Sequence, residues 1–208
     1  MALQRHARTL QALADRWSEI EPVTASPFSP YEGAEDLNDP TALQLDGVLF
    51  MEGEGEPSEI ARLIRDLRAA ADDFTATGRW LADAMQASWG LAAALVDIDD
   101  LADVLGERHR IIANDWQAAH MSSLAARLLR RAAEMLDHVD FTPAALRRDL
   151  AGRRVVPRRL YSAAELIARA ADLCSDSAGL VHDNECRWRT FRQRVGAIAA
   201  NADRQPNG

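Results

Sequence analysis

Asp99-Asp100-Leu101-Ala102-Asp103 carries the sharpest spacing for chemistry in this 208-residue chain. On a helix, Asp99 or Asp100 shares a face with Asp103, so two carboxylates can share one magnesium ion and hold a diphosphate through it. His109, His120 and His138 fall on one side of a helix but lie about 16 and 27 Å apart along it, too far to share a metal. His182 and Glu185, at i and i+3, make at most half of a metal site, and no Glu-x-x-His occurs. All 24 basic residues are arginines. The absence of lysine removes Walker-type phosphate loops and Schiff-base chemistry, which need an amine.

The aspartate fragment resembles the DDxxD motif of isoprenoid synthases. That resemblance implies a magnesium-dependent enzyme acting on a diphosphate through Asp99, Asp100 and Asp103. It covers five residues. Asn114-Asp115 opens no second metal motif, because Ala118 and Ser122 stand where serine and glutamate are needed. The competing reading is an acid-rich helix start, which suits the positive end of a helix dipole.

Six arginines, Arg147, Arg148, Arg153, Arg154, Arg158 and Arg159, form a basic cluster between residues 143 and 160. Guanidinium forks suit phosphates and carboxylates alike. A nucleic-acid-associated subunit is one reading, disfavoured by the sequence pI of about 5.1 and the scarcity of stacking aromatics near the cluster beyond Tyr161. The opposite charge is equally local. Residues 21–57 hold nine acids, five prolines and no basic residue, and the remainder carries 24 arginines against 23 acids. The same segment contains Val48, Leu49, Phe50 and Met51, which are expected to dock on the helices. A 37-residue connection of this kind is unusual unless it is functional or partly ordered.

Around these groups the apolar positions recur at helical spacing. Leu3, Ala7, Leu10, Ala14 and Trp17 predict a helix over 1–20. Ile60, Leu63, Leu67, Ala71, Phe74, Gly78 and Leu81 predict one over 58–97, with Gly78 permitting close backbone approach; a break at Thr75–Gly78 is the alternative. A third is predicted over 99–138 through Ile111, Asp115, Ala118, Ser122, Ala125 and Leu129. Its buried face is widened by Leu105, Ile112, Trp116 and Ala119, and Gly106 is the alternative corner. Thr142-Pro143 opens a short helix to about 151. The capping box Ser162-Ala163-Ala164-Glu165 opens the last, over 162–202. Seam positions Ser88, Ser177 and Asn184 are polar, and a buried asparagine can fix helix register.

The expected architecture is therefore all-α, a single domain over 1–208. It is an elongated antiparallel bundle of three helices of about 40 residues, roughly 60 Å each, with a shorter first helix and the acidic connection packed partly upon it. No stretch suffices to cross a membrane, the N-terminus lacks a secretory pattern, and Cys174 and Cys186 stand too far apart on one helix to pair. A reduced, cytoplasmic location is expected, with no cofactor. The expected function is that of a non-catalytic subunit that binds another protein, in a homo-oligomer or a multi-subunit assembly, through long helix faces and the acidic segment.

Overall fold

A computed structural model describes residues 2–19, 59–93, 102–140, 149 and 155–202. Among them are four α-helices and no strand: α1 Ala2–Glu19, α2 Glu59–Ala93, α3 Ala102–Asp137 and α4 Val155–Ala202. No helix among the described residues is long and apolar enough to cross a membrane. The acidic connection 21–57 and the 97–100 corner lie outside the described residues. Of the short helix expected over 142–151, only Asp149 is described, and it is helical.

The chain packs as two compact units. Unit 1 comprises residues 1–71 and 127–171, and unit 2 comprises 72–126 and 172–208. Unit 1 has an apolar core, in which each helix contributes one stripe. Leu10, Ala14 and Trp17 of α1, Leu67 and Ala71 of α2, Leu129 and Leu136 of α3, and Leu160 and Ile167 of α4 are all at most 1% exposed. Polar ties flank them. Arg68 reaches Asp137 at 2.8 Å, and the Tyr161 hydroxyl donates to Asp15 at 2.5 Å.

Unit 2 is built differently. Among the described residues its buried apolar side chains are Leu81, Ile111, Ile112, Phe191 and three alanines, and all four buried polar side chains described in the molecule, Asp115, Ser122, Ser177 and Asn184, belong to it. The α2–α3 contact turns on Gly78. A Cβ there would stand 3.0 Å from Ser123 Oγ and 3.3 Å from the Ala119 carbonyl oxygen. The helix runs unbroken through Thr75–Gly78, where the Thr77 hydroxyl donates back to the Asp73 carbonyl at 2.9 Å.

A branched side chain in that gap must displace backbone, so Gly78→Val is expected to lose about 1–3 kcal/mol. Gly179, helical and with nothing within 4 Å of its Cβ position, behaves oppositely. Gly179→Ala is expected to gain about 0.5–1 kcal/mol from helix propensity alone. Urea unfolding of the two variants measures both signs. Equal effects would mean that α2 and α3 do not approach at residue 78.

Two sequence expectations need correction. The last helix begins at Val155, seven residues before the Ser162–Glu165 box, and spans 48 residues rather than about 40. Its first turn is capped from a distance, because the Asp149 carboxylate accepts from the Val155 amide at 2.7 Å and the Val156 amide at 3.1 Å. Pro157 fits in that turn, where a missing N–H leaves no intrahelical bond unmade. Of the two candidate corners, the alternative at Gly106 lies exposed within α3. Trp116 does not widen the buried face: it is 61% exposed, its ring stacked on His120 at 5.7 Å.

Candidate functional site

The best-defined side-chain constellation is the polar seam between α3 and α4 in unit 2. It follows from helical spacing: Asp115 and Ser122 are seven residues apart on α3, and Ser177 and Asn184 are seven apart on α4, so each pair stands on one stripe. Asn184 Nδ2 donates to Asp115 Oδ1 at 2.7 Å and to the Ile111 carbonyl at 2.8 Å, while Asn184 Oδ1 accepts from Asn114 Nδ2 at 3.0 Å. Both donors and the acceptor of the amide are thereby satisfied, which also settles its orientation. Two turns away, Ser177 Oγ donates to the Ala118 carbonyl at 3.1 Å and lies 3.1 Å from Ser122 Oγ. Since each hydroxyl has one proton, Ser122 is the donor in the serine pair.

Asp115 is 7% exposed. Burial pushes its carboxyl above the ordinary range, and the bond from Asn184 pulls it partly back. Such a group can hold or release a proton, but its partners are helix backbone and side chains of the seam itself. A buried asparagine held in this way can fix helix register.

The end of α4 presents a second feature. Residues 186–202 contain Arg187, Arg189, Arg192 and Arg194 and no acid. A cleft of about 250 Å³ is lined there by Glu107, Cys186, Arg187, Thr190, Phe191 and Arg194. Arg187 is tied to Glu107 at 2.7 Å, an ion pair that raises the guanidinium pKa further. Trp188 meets Phe191 edge to face at 5.4 Å, and Arg192 lies 5.9 Å over the Trp188 ring. Sequence reading passed over this cluster, although the acid-free run was visible in it.

The residues singled out from sequence are placed as follows. Asp99 and Asp100 lie outside the described residues; Asp103 falls in the first turn of α3, and its side chain is not among those described. Among the described residues no three His, Cys, Asp or Glu side chains converge to hold a metal. His109, His120, His138, His182 and Glu185 are all exposed. Arg147, Arg148, Arg153 and Arg154 lie outside the described residues, as do Val48, Leu49, Phe50 and Met51. Arg158 is exposed in the first turn of α4, and Arg159 donates to the His138 carbonyl at 2.6 Å, closing the negative end of α3. Cys174 is half-buried, its thiol pushed up to about 11, and Cys186 is exposed; both are free. Two indoles stand out from the surface of unit 2, Trp80 at 63% and Trp116 at 61% exposure.

No family model, curated protein or solved structure matches this chain.

Proposed function

We propose that this protein is a non-catalytic helical subunit that works by binding another protein, within a homo-oligomer or a multi-subunit assembly. The helices are taken to run antiparallel. In unit 2 the α3–α4 contacts support that arrangement, since residue numbers fall along one helix as they rise along the other: Ser122 with Ser177, Asp115 with Asn184, Glu107 with Arg187.

The observation that carries the reading is the exposure of Trp80 and Trp116. An indole buries on the order of 150–250 Å² when covered, and tryptophan is among the residues that dominate binding energy at interfaces. Two such rings on the surface of unit 2 are better suited to a partner than to water. The register-setting polar seam supports the same reading, because it holds the helix faces in one alignment.

The double variant Trp80→Ser with Trp116→Ser tests it. Both rings are largely exposed, so unfolding stability should move by less than about 0.5 kcal/mol. Self-association by light scattering, or capture of a protein partner from the source cell, should weaken at least roughly tenfold. A wild-type chain that neither assembles nor captures a partner would defeat the reading, as would a variant that does either as well as wild type.

A further inference from the structure

We propose that the 186–202 end of α4 is a docking surface for the acidic segment 21–57 of a second copy of this chain. The proposal rests on the assembly reading above and names its partner.

The surface has the composition such a segment requires. Its four arginines face no acid of their own stretch. Arg187 is neutralised by Glu107, whereas Arg189, Arg192 and Arg194 are exposed. The stacking of Arg192 over Trp188 restricts its guanidinium, so less freedom is lost on binding. The cleft of about 250 Å³ has Arg187, Arg194 and Phe191 in its wall, whereas helical spacing puts Arg189 and Arg192 on the other side of α4. An occupant of the cleft therefore needs a carboxylate for Arg194 beside an apolar side chain for Phe191, because Arg187 is already paired with Glu107, and further carboxylates reach Arg189 and Arg192 around the helix.

The chain itself contains that chemistry. Residues 21–57 hold nine acids and no base, and Phe50-Met51 is followed at once by Glu52, Glu54 and Glu56 with single glycines between. Taken as an extended peptide, Glu52 to Glu56 spans about 13 Å, enough to cover the roughly 8 Å from Arg189 to Arg194 along a helix. Outside the segment the chain is close to neutral, with 24 arginines against 23 acids, so the acidic segment of a second copy is not repelled by the body it approaches. Each copy offers one segment and one surface. Two reciprocal contacts close a two-fold pair, and the second contact forms at high effective concentration.

Light scattering of the full chain at about 50 mM and about 500 mM NaCl tests this. A dimer is expected at low salt and a monomer at high salt. Arg189→Glu with Arg194→Glu should be monomeric at both, with helix content unchanged and a melting temperature close to that of the wild-type monomer at high salt, since both side chains are exposed. Glu52→Gln with Glu54→Gln and Glu56→Gln should weaken the dimer at least roughly tenfold from the other side. A wild-type monomer at low salt overturns the proposal, and so does a dimer that survives the arginine reversals. Occupancy by nucleic acid, seen as a labelled oligonucleotide binding the arginines of a monomer, overturns it too. A dimer lost in the Trp80 and Trp116 double variant but kept in the arginine variant sinks the docking and leaves the assembly reading standing. A chain with neither a dimer nor any captured partner sinks both.

Discussion

Trp17→Ala is expected to destabilise unit 1 by about 3–5 kcal/mol, the largest effect of any single substitution considered for this protein. Trp17 is fully buried on α1, in the same core as Leu10, Leu67, Leu129 and Leu136. Removing the indole forfeits its transfer from water and leaves a void that the packed helices close only in part. Its Nε1 is buried without a hydrogen-bond partner among the described residues, and an unsatisfied buried donor costs about 1–3 kcal/mol. Trp17→Phe gives up volume but removes that penalty, so it should cost no more than about 1–2 kcal/mol. Chemical unfolding of the two variants beside wild type measures the difference. A phenylalanine variant as damaged as the alanine one would show that the indole N–H has a partner after all.

Asn184→Ala should cost about 2–3 kcal/mol. The amide is 2% exposed and is the donor that holds the Asp115 carboxyl. Without it a buried carboxyl has lost that bond, and Asn114 loses its acceptor. Replacing both members by apolar residues of similar volume, Asp115→Leu with Asn184→Leu, should recover most of the loss, because no buried group is then left unmatched. The Ile111 carbonyl keeps its bond within the helix, and Asn114, half-buried, can turn to water. Strict additivity in this cycle would mean that the two side chains do not interact.

The same pair sets a pH dependence. Burial raises the Asp115 pKa in the folded protein above its ordinary 3.8. The folded state therefore holds this proton more tightly than the unfolded chain does. Its contribution to stability is complete below about pH 3.8 and is lost as pH rises through the raised folded value. In Asp115→Asn the neutral amide can accept the same bond from Asn184 without that loss. The stability difference between variant and wild type should therefore grow in the variant's favour from acid to neutral pH. Parallel pH profiles would place the Asp115 carboxyl in water.

Much of this architecture could be read from residue order, and the reason is local. Helical phase is a property of neighbours three and four apart, so the stripes through Leu10, Ala14 and Trp17, or through Ile111, Ala118 and Leu129, announce themselves without knowledge of what they pack against. Gly78 was legible for the same reason, since the phase of α2 continues across it. The polar positions Ser177 and Asn184 could be placed on the seam but not partnered.

What residue order left open depends on groups distant in the chain. Val155 starts α4 because Asp149 reaches its amide from six residues upstream, beyond the span of a local capping motif. Trp116 stands outside the core to which hydrophobicity alone assigned it, with its ring stacked on His120. Asn184 became the hub of a network only when residue 184 met residues 111, 114 and 115 across two helices. The sequence by itself determined that the described segments are helical and where the main apolar stripe of each lies, because a repeating pattern encodes its own periodicity. Only the tertiary structure decided where α4 begins, which tryptophans meet water and which polar groups satisfy one another, because those depend on distances between segments that share no local signal.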